Sequence, residues 1–193
     1  TLYRRALSAA AQLEVDAASL AATWEALGEV QELAGLLDDA RRSMVAARRL
    51  RPDDALASAR LLLRAAFIDE RLGRFVRAVR SVRLAQRELA ALSADDAVVQ
   101  RLQGELAVWL AAIRVSQGRF REALPWGSEG ARLATAVGDR PTLARAYLAL
   151  DYAETCLGLP TDLSRTHAAL EISTVDGDLS GEATAANVLG GYA

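Results

Sequence analysis

Apolar and small residues recur at three- and four-residue spacing over residues 21–54, which is the period of a helix face. The first stretch presents this face through Trp24, Leu27 and Gly28. The second presents it through Leu37, Ala40, Met44 and Ala47. Gly35 interrupts the pattern between the two stretches, and Pro52 ends it. The pattern predicts two antiparallel helices that approach closely at the small residues while Trp24 and Met44 fill the space beside them.

The same two-helix pattern recurs along the chain. It predicts complete pairs over residues 21–54, 55–96, 97–141 and 142–179, the end of a preceding pair over residues 1–15, and the start of a fifth over residues 180–193. The candidate caps of the opening helices are Asp16 or Ser19, Asp53 or Asp54, and Ser93, Asp95 or Asp96. Because two helices alone leave an apolar face uncovered, we expect an all-α fold in which residues 1–193 form a single array of stacked pairs.

Glycines set the turn within each pair. The four inter-helix glycines are Gly35, Gly73, Gly118 and Gly158, spaced 38, 45 and 40 residues apart. The distance from Gly158 to Ala169 is one residue shorter than that from Gly35 to Ala47. The second helix of the fourth pair is therefore predicted to start irregularly.

Composition narrows the class of protein. The chain is 52% hydrophobic but only 5% aromatic, which favours closely packed helices over a β architecture. All 23 basic residues are arginine, as expected from a GC-rich, plausibly bacterial genome. The net charge of −2 offers no general attraction to nucleic acid or an anionic membrane. With one cysteine, no signal peptide and no long apolar run, the sequence predicts a cytoplasmic protein without an internal disulfide.

The residue types needed for catalysis are sparse. A phosphate-binding loop requires a lysine, and the sequence has none. The single histidine, His167, is predicted to be a structural residue that faces the partner helix, and Cys156 is predicted to pack in the interior. Asp151 and Glu154, three residues apart, are interpreted as a solvated helix edge. The sequence therefore predicts no catalytic residue, metal site or cofactor.

The spacing of these residues resembles the tetratricopeptide repeat, a helix-turn-helix unit of about 34 residues. Gln31 stands where that repeat usually has a tyrosine. The resemblance implies an α-solenoid, a right-handed superhelix with repeats lengthened by extra helical turns.

Four segments are also similar to the tetratricopeptide region of large actinobacterial signalling proteins that carry an ATPase module and often a class III adenylate or guanylate cyclase domain. They are residues 24–28 (WEALG), 70–75 (ERLGRF), 168–172 (AALEI) and 186–190 (ANVLG). This resemblance implies a regulatory, partner-sensing arm, and similar repeats follow the ATPase modules of bacterial transcription regulators. Any ATPase or cyclase activity would then lie in domains outside this chain.

Tetratricopeptide arrays place their opening helices on a concave face that binds ligands, so the resemblance implies a binding groove. Its expected residues are Glu25, Glu29, Arg60, Arg64, Phe67, Trp109, Arg145 and Tyr152. Further positions on the same face are Glu32, Leu63, Glu70, Glu105, Val108, Ala112 and Leu148. The alternative is that the glutamates only pair with Arg60 and Arg64 on the adjacent helix, and that Trp109 belongs to the core.

A second charged feature is a series of five arginines on the second helix of the second pair: Arg74, Arg77, Arg80, Arg83 and Arg87. Arg80, Arg83 and Arg87 share a helix face. Because no stacking aromatics are interleaved, the series is interpreted as a solvated outer face, with docking of an acidic partner or of a phosphate backbone as the alternatives.

The sequence thus favours a binding module whose partner is a protein, a peptide or another domain of the same polypeptide, with no nucleic acid and no membrane. Two alternatives are left open. One is a self-assembling scaffold in which homo-oligomers stack end to end, and the other is a small-molecule-sensing arm of a transcription regulator.

Overall fold

The computed structural model describes residues 15–190, together with residues 2, 3, 5 and 9. In this part of the chain no strand occurs and nine helices form. They are numbered here as α1 (Ala17–Leu33), α2 (Leu37–Arg49), α3 (Ala55–Arg71), α4 (Phe75–Leu89), α5 (Ala97–Ser116), α6 (Phe120–Val137), α7 (Arg140–Cys156), α8 (Ser164–Asp176) and α9 (Leu179–Gly190). The all-α class is confirmed for these residues, whereas the superhelix stays a prediction. The predicted end of a preceding pair, over residues 1–15, falls almost wholly outside the described residues, as does the last part of the predicted fifth pair.

The helices belong to two compact units, Thr1–Leu92 and Ser93–Ala193. In the first unit α1 packs against α2, α2 against α3, and α3 against α4. In the second unit α5, α6 and α7 contact one another, as do α7, α8 and α9. Helices consecutive in sequence are therefore neighbours within each unit, as short connections require.

An aspartate directly precedes each of the opening helices, which are α1, α3, α5, α7 and α9. The carboxylates that accept a backbone N–H two or three residues further on belong to Asp16, Asp54, Asp96, Asp139 and Asp178. Each bond satisfies one of the free N–H groups at a helix start. The residues directly before the second helices α2, α4, α6 and α8 make no such side-chain bond. Before α8, Asp162 accepts the backbone N–H of Ser164 at 3.0 Å. Of the predicted cap candidates, Asp16, Asp54 and Asp96 are confirmed.

Gly35 makes the turn from α1 to α2 with a φ of 73°, a left-handed conformation that glycine adopts without strain. The next N–H, that of Leu36, bonds to the carbonyl of Gln31 at 2.8 Å, which is the pairing of a Schellman motif. The remaining inter-helix glycines have the same conformation: Gly73, Gly118 and Gly158. The predicted helix stops are confirmed.

The predicted close approach of α1 and α2 is also confirmed. A Cβ added at Gly28 would lie 2.7 Å from Cε of Met44 and 3.3 Å from the carbonyl oxygen of Ala40. Both Met44 and Ala40 are buried. In the second unit Gly130 allows a similar close approach, because a Cβ there would overlap the Cγ2 methyl of Val108. Glycine is needed at these positions for space rather than for backbone freedom.

The second helix of the fourth pair starts irregularly, as the shortened spacing predicts, and its start is late. Helix α8 begins at Ser164, six residues after Gly158, whereas α2, α4 and α6 begin two residues after their glycines. The residue before α8, Leu163, has a φ of 60°, which is uncommon for a side chain of this type. The longer connection changes which residues of α8 face α7.

Candidate binding surface

In the first unit, the predicted groove residues of α1 and α3 pair with one another. Arg64 of α3 reaches two glutamates of α1: Nη1 lies 3.5 Å from Glu29 Oε1, and Nη2 lies 3.3 Å from Glu32 Oε2. Arg71, about two turns further along α3, lies 3.7 Å from the other oxygen of Glu32. The arginine side of α3 therefore faces the glutamate side of α1.

Glu25 extends this row of ion pairs toward the start of α3. Its carboxylate lies 3.6 Å from Arg60 Nη2 and 3.7 Å from Arg51 Nη1. We call the set Glu25, Glu29, Glu32, Arg60, Arg64 and Arg71 the charge ladder. The side chains of Arg60 and Glu29 are 55% and 49% exposed, so their pairs are screened by water and contribute little to stability. These contacts match the alternative in which the glutamates pair with Arg60 and Arg64 on the adjacent helix. The exposed ends of the paired side chains remain accessible from solvent.

Phe67 lies on α3 between Arg64 and Arg71 and is half-buried. The guanidinium carbon of Arg71 stands 5.5 Å from the centroid of its ring, within the range of a cation–π contact. Phe67 is therefore already engaged by its own helix and offers only part of its ring to a ligand.

In the second unit, three predicted groove residues lie on α5 and α7. Trp109 is half-buried, so its side chain lies partly in the core and partly at the surface. Arg145 is exposed and has no ion pair among the described residues. Tyr152 is 42% exposed, and its ring meets that of Phe120 edge to face with 6.2 Å between centroids. Arg145 is thus the predicted groove residue of this unit that is most open to a partner.

Cys156 lies one turn after Tyr152 on α7 and is exposed rather than packed, so the predicted interior position is wrong. Negative charge on its sulfur, and a hydrogen bond to it, raise the pKa of the Tyr152 phenol above its ordinary value. Both groups are at the surface because α7 turns another side, which includes the buried Ala153, toward the core of this unit.

Three apolar positions assigned to the groove are buried instead: Leu63, Val108 and Leu148. They occupy the same place in successive opening helices, and Val108 contacts the backbone of α6 at Gly130. This position therefore belongs to the packing within each unit and not to a ligand-binding floor.

His167 was predicted to face the partner helix, and this is wrong because its side chain is exposed. The late start of α8 shifts the register by one residue, so that Thr166 and Ala169 are the buried residues. Among the described residues, no group of three or more histidine, cysteine, aspartate or glutamate side chains could hold a metal ion.

Asp151 is buried, at 1% exposure, which contradicts its interpretation as part of a solvated edge. Oδ2 accepts hydrogen bonds from the backbone N–H and the hydroxyl of Thr166, at 2.9 and 2.8 Å. Oδ1 accepts one from Nε of Arg165 at 2.6 Å. Glu154, the other member of the pair, also binds Arg165. Asp151 thus binds the start of α8, where the residue directly before the helix, Leu163, has no side-chain acceptor.

A polar residue occurs four positions before each inter-helix glycine, a regularity of which the sequence analysis noted only the first member. The four residues are Gln31, Asp69, Arg114 and Glu154. Ser43 of α2 donates a hydrogen bond to Gln31 at 2.7 Å. Asp69 is fully buried and accepts a hydrogen bond from Arg41 Nε at 2.7 Å. The fixed offset from the glycines is the feature of the sequence by which this polar position could have been recognised.

The same position has opposite charges in two consecutive pairs. Oδ1 of Asp69 on α3 lies 3.9 Å from Nε of Arg77, four residues after Gly73. Nε of Arg114 on α5 lies 3.4 Å from Oε2 of Glu122, four residues after Gly118. Both contacts join an opening helix to the second helix of its own pair, with the signs reversed.

Of the arginine series on α4, two members have carboxylate partners. Arg74 Nη2 lies 3.2 Å from Asp38 Oδ2, and Arg77 approaches Asp69. The other three, Arg80, Arg83 and Arg87, are exposed and make no ion pair among the described residues. This agrees with the predicted outer face. Separately, no helix in the described part of the chain is long and apolar enough to cross a membrane.

Comparison with known proteins gives information on the fold alone. No protein-family model matches the chain, and no curated protein matches it. A solved structure that does match is the crystal structure of BtubC (BKLC) from P. vanneervenii. The match has a TM-score of 0.70 and 19% sequence identity, and it covers 92% of this chain and 72% of BtubC. The helical arrangement is therefore similar to that of a known structure, although the two sequences have little identity.

Proposed function

We propose that this chain is a protein-interaction segment of the tetratricopeptide type, which belongs to a larger bacterial signal-transduction protein and binds a peptide or a partner domain. The helix pairs, their left-handed glycines and the close contacts at Gly28 and Gly130 support the repeat assignment. The partner would lie along the opening helices, and any catalytic activity would belong to other domains of the parent protein.

The observation that carries the proposal is the exposed polar surface of the opening helices. In the first unit the exposed ends of Arg60 and Glu29 belong to weak, solvent-screened pairs that an incoming carboxylate or ammonium group can replace at little cost. In the second unit Arg145 is exposed and unpaired among the described residues. Arginine is enriched among residues that dominate recognition sites, because its planar group forms several directed hydrogen bonds.

Regulation would follow from differential binding. If the partner binds one arrangement of the parent protein more tightly than another, occupancy shifts the population toward the first. The chain would then act as the sensing arm, and the size of the effect would equal the difference in binding free energy between the two arrangements.

Site-specific photo-crosslinking tests the proposal. A photo-reactive amino acid is placed at Arg145 on α7 or, as the matched control, at Arg121 on α6. Both arginines are exposed, lie in the second unit and have no ion pair among the described residues, but only Arg145 lies on an opening helix. After irradiation in lysate of the native host, we expect a discrete adduct from position 145, identified by mass spectrometry, and none from position 121.

An adduct only from position 121 would place recognition on the second helices and contradict the proposal. The same would hold if both positions gave the same set of adducts, since that result indicates non-specific capture. Arg145→Ala should then weaken binding of the identified partner, with Arg121→Ala as the control for loss of one positive charge.

A further inference from the structure

The exposed arginines of α4 form a surface that the proposed function does not use. Arg80, Arg83 and Arg87 follow one another at three- and four-residue spacing, which places them on one side of the helix. The buried side of α4 is formed by Ala78, Ser81, Val82, Ala85 and Leu89. The arginines therefore point away from the core of the first unit.

No carboxylate of the described residues neutralises these three guanidinium groups. Helix α4 contains a single acidic residue, Glu88, and its carboxylate binds Arg48 of α2 at 2.6 Å. Asp69, the nearest buried carboxylate to α4, already faces Arg41 and Arg77. Other arginines of this unit do have partners, among them Arg64 and Arg74. The three arginines are thus a local concentration of positive charge in a chain whose net charge is −2.

The spacing sets the kind of anion that fits. From Arg80 to Arg87 the helix rises about 10 Å, which equals about three residues of an extended chain. A segment of consecutive aspartates and glutamates can place a carboxylate near each guanidinium over this distance. Val76 continues the same side of the helix toward its start and is 74% exposed, which adds an apolar contact at one end. A single-stranded nucleic acid would in addition stack its bases on aromatic side chains beside the arginines, and this side of α4 has none.

We propose that Arg80, Arg83 and Arg87 form a docking surface for an acidic peptide segment of a partner protein. Three guanidinium groups on one side of a helix repel each other, and an acidic segment relieves that repulsion while it forms new charge-assisted hydrogen bonds. The interaction is electrostatic and exposed, so its affinity falls as the salt concentration rises. This surface is on a second helix and its existence does not depend on binding along the opening helices.

Fluorescence anisotropy with the full chain tests the docking surface, with a fluorescein-labelled hexaglutamate peptide as the probe at low ionic strength. The test variant is Arg80→Ala/Arg83→Ala/Arg87→Ala. The control variant is Arg49→Ala/Arg121→Ala/Arg132→Ala, which removes three other exposed arginines. Both variants change the net charge from −2 to −5, so general electrostatic attraction is weakened equally. Circular dichroism melts confirm that both remain folded.

We expect the test variant to bind the peptide about tenfold more weakly than the wild type, because three exposed pairs each contribute modestly. The control variant should bind within about twofold of the wild type. Equal losses in the two variants would overturn the proposal, because they would show that only net charge matters. The proposal would also be overturned, in favour of a phosphate polymer, if a six-nucleotide oligothymidylate bound more tightly than hexaglutamate and its binding depended on Arg80, Arg83 and Arg87.

Discussion

Asp151 caps helix α8 from helix α7: its Oδ2 accepts the backbone N–H of Thr166 at 2.9 Å, where the residue directly before α8, Leu163, offers no side-chain acceptor. The bond crosses between two helices that are separated by an irregular connection. It therefore fixes where α8 begins relative to α7, and Arg165 balances the charge of the buried carboxylate.

Replacing Asp151 by alanine should lower the free energy of unfolding by about 2–3 kcal/mol, because the buried Thr166 N–H and hydroxyl lose their acceptor. Urea denaturation followed by circular dichroism measures the change. The matched control is Asp162→Ala, which removes an exposed carboxylate bound to the N–H of Ser164 at the same helix start. If both substitutions cost the same, Asp151 is not the principal cap.

Gly130→Ala should destabilise the second unit by about 1–3 kcal/mol, since the new methyl group overlaps Val108 and lies 3.2 Å from its backbone nitrogen. Gly190→Ala is the control, because a Cβ at that helical position meets no atom within 4 Å. Its stability should be unchanged or slightly raised, as alanine favours helix over glycine. A melting temperature of Gly130→Ala equal to that of the wild type would contradict the close approach of α5 and α6.

In the first unit, Ala40→Leu should cost about 1–3 kcal/mol, because Ala40 is fully buried and its carbonyl stands against Gly28. Ala22→Leu, on the exposed side of α1, adds the same atoms where there is space and should leave the unfolding midpoint unchanged. An unaltered midpoint for Ala40→Leu would mean that the two helices of this pair are not in the register described.

The charge ladder should contribute little to stability. A double-mutant cycle with Glu32→Gln and Arg64→Gln should give a coupling energy of about 0.2–1 kcal/mol, because the contact is long, at 3.3 Å, and the Arg64 side chain is 43% exposed to water. At about 1 M salt the coupling should approach zero, since the Debye length falls to about 3 Å. A coupling of about 3 kcal/mol that persists in salt would identify the ladder as a structural network and leave it unsuited to exchange with a ligand.

Stability should decline at acid pH partly through Asp38. The hydrogen bond from Arg74 holds the pKa of its carboxyl below the ordinary value of 3.8. A depressed folded-state pKa means that the stabilisation is fully present above 3.8 and is lost as the pH falls through the lower folded value. Asp38→Asn should therefore make the loss of unfolding free energy between about pH 6 and about pH 3 smaller than in the wild type.

The control for the acid experiment is Asp53→Asn, which alters an exposed aspartate that makes no hydrogen bond in the described part of the chain. Its pH profile should follow that of the wild type. Equal flattening in both variants would show that the change in net charge, and not the Arg74 contact, is responsible.

The helix pairs could be predicted from the sequence because each depends on local chemistry. Gly35 and its three counterparts provide left-handed turns, and Asp16, Asp54 and Asp96 cap the following helices. These signals require only the neighbouring residues, so spacing alone reveals them. The irregular start of α8 was predictable for the same reason, from one missing residue after Gly158, whereas its late start was not.

The surface was harder to predict, because its properties depend on contacts between distant residues. Burial of Asp151 follows from the position of Thr166, fifteen residues away, which periodicity does not specify. His167 is exposed because the register of α8 is shifted by one residue. The sequence indicated an irregularity there but did not show which residues it would bury. The mutual pairing of Glu25 with Arg60 could be foreseen as an alternative, although spacing alone could not choose between pairing and ligand binding.

Helices of similar sequence in one chain can exchange partners while the protein folds, and the reversed charges at equivalent positions oppose this. Asp69 meets Arg77 in one pair, whereas Arg114 meets Glu122 in the next. If α3 associated with α6, Asp69 would face Glu122; if α5 associated with α4, Arg114 would face Arg77. Each wrong association would bring two like charges together, one of them buried, so the correct neighbour is selected by repulsion from its competitors as much as by attraction.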